Sequence, residues 1–165
     1  MKHALVAMAA GVMVGCAGHT RVEKEPARVT VDQTLNAFHA AAANADYAGY
    51  FANWTGESVF LGTDATERWE GDAFKAFARP YFEKGQGWTY LPRKRNVSVS
   101  EDGRTAWFDE LLENEKYGEC RGSGVLLRRG EGWVIVQYNL SFPIPNAVAG
   151  EVMRRVRAAG GSVEE

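Results

Sequence analysis

Apolar residues in the first half of the chain recur at helical spacing. Leu35, Phe38, Ala42 and Ala45 fall three or four apart, and the alanine run at 40–43 adds helix propensity. Thr30 or Asp32 would cap the start of this helix, and Asn44-Ala45-Asp46 would end it. A second short helix is predicted through Tyr47, Tyr50, Phe51 and Trp54, and Ser58-Val59-Phe60-Leu61 reads as a strand. Gly71-Asp72 opens a third helix with Phe74, Phe77 and Ala78 on one face, which Pro80 bends or ends. After residue 88 the period changes from helical to two. Residues 88–99, 105–114, 119–128 and 133–142 are predicted strands, joined by Glu101-Asp102-Gly103, Glu115-Lys116-Tyr117-Gly118 and Gly130-Glu131-Gly132. Such short connections make neighbours antiparallel and produce a meander. Pro143 and Pro145 stop the sheet, residues 147–158 are predicted as a terminal helix, and the glycine-led tail to residue 165 is expected to be disordered.

Helices followed by an antiparallel meander define an α+β class. The chain of 165 residues, 45% hydrophobic and 12% aromatic, is long enough for one core and too short for two comfortable domains. A formal net charge of -2 with scattered signs gives no concentrated basic surface, so no nucleic-acid partner is expected. Arg93-Lys94-Arg95, the densest basic cluster, reads as a solvated strand end.

The N-terminus carries a separate message. Lys2-His3 and the apolar stretch from Ala4 to Gly15 read as an export signal, too short to span a bilayer comfortably. Met13-Val14-Gly15-Cys16 resembles a bacterial lipobox, which implies lipidation of Cys16; Ala17 after it implies sorting to the outer membrane, facing the periplasm. An ordinary cleaved secretory peptide is the alternative, leaving a soluble periplasmic or secreted protein. The expected organisation is therefore a signal over 1–16, a tether over 17–29, a domain over 30–146, and a helix and tail over 147–165. With Cys16 lipidated, Cys120 is the remaining thiol and no intramolecular disulfide forms.

Two segments carry a family resemblance. They are the hairpin Gly118-Glu119-Cys120-Arg121-Gly122-Ser123-Gly124-Val125-Leu126-Leu127 with Trp133-Val134-Ile135-Val136-Gln137-Tyr138-Asn139-Leu140-Ser141, and Phe60-Leu61-Gly62-Thr63-Asp64-Ala65-Thr66-Glu67-Arg68-Trp69 upstream. Together they resemble the SnoaL-like branch of the nuclear transport factor 2-like (NTF2-like) superfamily. The resemblance implies a cone in which a curved antiparallel sheet and three N-terminal helices enclose a pocket. It does not imply an activity, because that fold hosts enzymes, binders and assembly modules. Ketosteroid isomerases share the superfamily, but the positions of their tyrosine donor, aspartate base and second acid fall at Phe38, Gly62 and near Gly124, so that chemistry does not transfer.

The candidate polar groups follow from strand alternation. On the last strand Gln137, Asn139 and Ser141 share a face with Trp133 and Ile135; the resemblance implies that this face lines the pocket, while bonding of Gln137 and Asn139 to nearby backbone is the other reading. Cys120, Gly122 and Gly124 would face inward on the preceding strand, where the glycines either widen a cavity or permit curvature. Asp109 and Glu110 point to opposite faces, so one acid is interior; Asp109, sharing a face with Trp107 and Leu111, is the preferred candidate for a catalytic base, with an ion pair to Arg121 as the other reading. Glu67 and Trp69 would sit at the cone's mouth, where Glu67 either meets a ligand or pairs with Arg68 or Arg79. His39 flanks the apolar stripe of the first helix and is expected at the surface or in helix packing. No paired His or Cys spacing points to a metal, and no cofactor is expected. The expected function is an envelope lipoprotein that binds a small, largely apolar molecule. The alternatives are a dehydratase, cyclase or isomerase using an interior acid, or an accessory interaction domain. Apolar Val125, Leu127, Val134 and Val136 on the outer sheet face point to a homodimer.

Overall fold

Alternation along one central strand defines inside and outside. In β4 (Thr105–Asn114) Ala106, Phe108, Glu110 and Leu112 are buried, whereas Trp107, Asp109 and Glu113 are exposed. The computed structural model describes residues 24–160. Its elements are α1 (Lys24–Ala43), α2 (Tyr47–Phe51), β1 (Trp54–Leu61), β2 (Arg68–Glu70), α3 (Gly71–Phe82), β3 (Leu91–Val99), β4, β5 (Gly118–Arg129), β6 (Gly132–Ser141) and α4 (Ala149–Ala158). The strands form one sheet in the order β2-β1-β6-β5-β4-β3, antiparallel except where β1 runs parallel to β6. The sheet is curved and unclosed, and the three N-terminal helices complete an α+β cone.

α1 closes the cone with Ala27, Val31, Leu35, Phe38, Ala41 and Ala42 buried. It begins at Lys24, so residues 24–29 belong to the helix and not to a tether; burial of Ala27 and Val31 extends the apolar stripe two turns further than Leu35 and Phe38 alone indicate. Thr30 is therefore an interior position and not a cap. Its hydroxyl donates to the Ala27 carbonyl at 2.9 Å and accepts from the Trp133 indole N–H at 2.9 Å, tying α1 to β6. α2 is capped as its sequence requires, with the Asp46 carboxylate accepting from the Gly49 N–H at 3.0 Å. The export signal, Cys16, residues 17–23 and tail residues 161–165 lie outside the described residues.

β6 departs from strict alternation. Val125 of β5 pairs with Gln137 and Leu126 with Ile135, leaving Val136 as an extra residue. Before this bulge Trp133 and Ile135 face the core; after it Tyr138 and Leu140 do. The residue pair Arg68–Glu70 with Trp69, expected as loop, forms the edge strand β2, where Trp69 lies opposite Phe60.

Candidate functional site

The cone holds a cavity of about 180 Å³, comparable to the space that admits a single aromatic ring. α1 contributes Phe38, His39 and Ala42, α2 contributes Tyr50, and β1 contributes Phe60. Trp69, Phe74 and Phe77 close one side, Trp88 and Tyr90 another, and Tyr138 and Leu140 of β6 the far wall. Tyr117 and Phe142 flank the opening with ring centroids 4.8 Å apart. Rings pack on rings throughout: Phe38 stacks on Tyr50 at 4.4 Å, Phe60 on Phe74 at 4.2 Å, and Trp69 on Phe77 at 4.7 Å. Among the described residues, no Lys or Arg lines this space.

Behind the far wall lies a buried carboxylate that organises the cavity's polar end. Glu110, 1% exposed, accepts from the Tyr138 hydroxyl at 2.8 Å and meets His39 Nε2 at 2.7 Å through the same oxygen, Oε1. Its Oε2 accepts from Arg95 Nε at 2.7 Å, and the Arg95 guanidinium reaches on to Asn36 Oδ1 at 2.8 Å and Asp32 Oδ1 at 3.2 Å on α1. Burial alone would raise the Glu110 pKa; the hydrogen bond and charge of His39, then those of Arg95, outweigh it and hold the carboxyl below its usual range. The Tyr138 hydroxyl is pushed well up by burial and by Glu110, so it keeps its proton.

These states fix the hydrogen-bond polarity. An ionised Glu110 only accepts, so His39 Nε2 carries the hydrogen directed at it. The other ring nitrogen, Nδ1, has no hydrogen-bond partner among the described residues, and His39 lines the cavity. It presents a lone pair in the neutral imidazole and an N–H in the imidazolium. Tyr138 has likewise spent its hydrogen on Glu110, and its oxygen offers lone pairs. A carboxylate–imidazole pair of this kind can bind a donor or abstract a proton, because the carboxylate orients the ring and stabilises the imidazolium that results.

The sequence expectations for the site are corrected in four places. Asp109 is exposed on the outer face and accepts from Asn96 Nδ2 at 2.9 Å, while Glu110 is the interior acid. The reason is that Trp107, which shares the Asp109 face, is 49% exposed, so that face is the solvent face. Gln137 is exposed and Asn139 half-buried on the outer side, because the Val136 bulge inverts the parity counted from Trp133. Cys120 does face inward and is fully buried, but it does not line the cavity; burial, then the Glu119 charge, raises its thiol pKa, which leaves it a protonated and inert packing group. Glu67 and Trp69 both line the cavity, and neither Arg68 nor Arg79 pairs with Glu67: Arg68 meets Glu70 at 3.1 Å and Arg79 meets Glu83 at 3.8 Å. His39 is buried rather than superficial, since it lies four residues after Leu35 and eight after Val31 on one stripe of α1. Among the described residues, no cluster of three or more His, Cys, Asp or Glu side chains is arranged to hold a metal ion. Asp109→Asn should therefore change stability by no more than about 0.5 kcal/mol and leave ligand binding intact, measured by thermal unfolding and titration of the pair of proteins.

A curved sheet closed by three helices around an aromatic cavity defines an NTF2-like cone. The chain belongs to the SnoaL-like domain family, whose profile matches residues 31–145. Among solved structures it is similar to an NTF2-like protein of unknown function from Pseudomonas putida KT2440, at 17% identity and TM-score 0.63, covering 74% of this chain and 90% of that one. A candidate dehydratase of the NTF2-like family from Streptomyces avermitilis superposes with TM-score 0.63 at 13% identity, covering 74% of this chain and 100% of its own. A candidate aromatic ring hydroxylase from Novosphingobium aromaticivorans does so with TM-score 0.60 at 17% identity, covering 73% and 92%. At these identities the likeness carries the fold alone. No curated protein matches the sequence.

Proposed function

We propose that this domain binds a small, largely apolar, ring-bearing molecule, with a hydrogen-bond-donating group of the ligand meeting His39 Nδ1 and the Tyr138 oxygen. The observation that carries this reading is an aromatic cavity in which His39 and the Tyr138 hydroxyl meet at the buried Glu110 carboxylate. Burying an apolar ring gains about 25 cal/mol per Å² removed from water, and the acceptor pair orients it. Native mass spectrometry of the protein isolated from its own host tests the proposal. A non-covalent small-molecule adduct is expected on the wild type, lost on denaturation and diminished several-fold in His39→Gln. A protein that is bare and also takes up no phenol or aryl alcohol at millimolar concentration would refute it.

The second reading is an enzyme, a dehydratase, cyclase or isomerase, and the Glu110–His39 pair favours it. In that case His39 is the base, Tyr138 positions the substrate, and His39→Gln abolishes turnover rather than weakening retention alone. The wider setting is proposed on the sequence: Lys2-His3, the apolar stretch and Cys16 support export and lipid anchoring in the cell envelope. Pairing of two copies is proposed through the outer sheet face, where Trp107 is 49% exposed beside half-buried Val125, Leu127, Val134 and Val136.

A further inference from the structure

Glu67 stands out at the mouth of the cavity. It is half-buried among aromatic rings, and among the described residues it has no ion-pair partner. Its position is built. The Gly62 N–H donates to the Glu67 carbonyl at 2.8 Å, the Glu67 N–H donates to the Asp64 carbonyl at 3.0 Å, and the Asp64 N–H donates to Glu67 Oε2 at 3.2 Å. A side chain at residue 62 would collide with this carboxylate, so Gly62 supplies the space in which it lies. One oxygen, Oε1, is left with no partner among the described residues. Trp69, Trp88 and Tyr90 surround the same opening, and aromatic faces attract cations.

We propose that the cavity selects its ligand by charge and takes an arylalkylamine, with the ammonium held by Glu67 and the mouth aromatics and the ring buried toward His39. This rests on the binding reading above and names its ligand class. Glu67 Oε1 and the Tyr138 oxygen both accept, and among the described residues no Lys or Arg lines the cavity, so a ligand ammonium meets a carboxylate where a ligand carboxylate meets no Lys or Arg. The Tyr90 hydroxyl is pushed up to about 12, chiefly by burial, with Cys120, Tyr117 and Glu67 adding to it.

The test uses three probes that share a phenol and differ in the tail: tyramine, a cation; tyrosol, neutral; and 4-hydroxyphenylacetate, an anion. Isothermal titration of the wild type should show tyramine binding roughly tenfold tighter than tyrosol, with 4-hydroxyphenylacetate weakest, as expected for a charge-assisted hydrogen bond in a partly desolvated site. Glu67→Gln keeps an acceptor for the Asp64 N–H, so the turn should hold, which a melting temperature within about 2 °C of wild type reports; tyramine should fall to the affinity of tyrosol. If tyrosol binds but 4-hydroxyphenylacetate equals tyramine, or if Glu67→Gln leaves tyramine unchanged, charge selection is wrong and the cavity remains a binding site. If none of the three binds at millimolar concentration, both readings fall together.

Discussion

Glu110→Gln is expected to destabilise the protein by about 3–5 kcal/mol at neutral pH, the usual cost of removing one partner from a buried ion pair. In a domain of this size that corresponds to roughly 10 °C in melting temperature. The carboxylate takes hydrogen bonds from three side chains on three different elements: His39 on α1, Arg95 on β3 and Tyr138 on β6. A glutamine offers one oxygen and one N–H₂ in their place. If its oxygen serves Arg95, its amide faces Tyr138, whose hydrogen must then turn toward the cavity. The Tyr138 hydroxyl would change from accepting to donating at the cavity, and preference should move toward ligands that accept. A variant that melts within 2 °C of wild type, on the scale set by about 1 kcal/mol, would show that Glu110 does not hold these elements together.

The same substitution has a signature in pH. Because the folded-state pKa of Glu110 lies below its ordinary value, its contribution is complete above the unfolded-state carboxylate pKa, near 4.3, and is lost as pH falls through the lower folded value. The stability gap between wild type and Glu110→Gln should stay level from neutrality to about pH 4–5 and narrow below that. Denaturant unfolding at intervals between pH 7 and pH 3 measures it. A gap that widens with acid would reverse the assigned direction.

Most of the architecture could be read from local pattern, since hairpin turns and the two-residue period are local properties of β3 to β6. What could not be read locally is parity. The Val136 bulge moves one residue, and that single shift carries Gln137 and Asn139 to the outer side and Tyr138 to the cavity. The choice between Asp109 and Glu110 was legible by a different route. The tight turn at Glu115–Gly118 sets Glu110 opposite Gly122, and the glycine face of β5 was already read as inward, so pairing alone selects Glu110 over Asp109. His39 also left a trace, in its spacing from Val31 and Leu35. Its partnership with Glu110, 71 positions away, and the reach of Arg95 to α1 are tertiary facts that depend on how the helix lies across the sheet, and spacing along the chain does not encode them.

Gly122 is where the sheet and the site depend on one another most directly. Its inward face lies against the Tyr138 hydroxyl and Glu110: a methyl group there would collide with the hydroxyl oxygen and come within 2.9 Å of the ring carbon bearing it and 2.8 Å of Glu110 Oε1. The glycine thus allows both side chains to approach the β5 backbone, and curvature of the sheet is not the whole reason for its presence. Gly122→Ala should cost about 2–4 kcal/mol, because the methyl must separate a buried hydroxyl from its acceptor or displace the strand. Gly124→Ala should also destabilise, since its methyl meets the Gln137 carbonyl, but that contact lies in the backbone. The two substitutions can therefore be separated by a double-mutant cycle with Tyr138→Phe. Removing the hydroxyl relieves part of the collision at Gly122 and none of that at Gly124. Gly122→Ala should cost at least about 1 kcal/mol less in the Tyr138→Phe background than in wild type, whereas the cost of Gly124→Ala should be the same in both. Equal costs for Gly122→Ala in the two backgrounds would mean that the glycine serves the bend of β5 alone and that the close approach to Tyr138 contributes nothing to its presence.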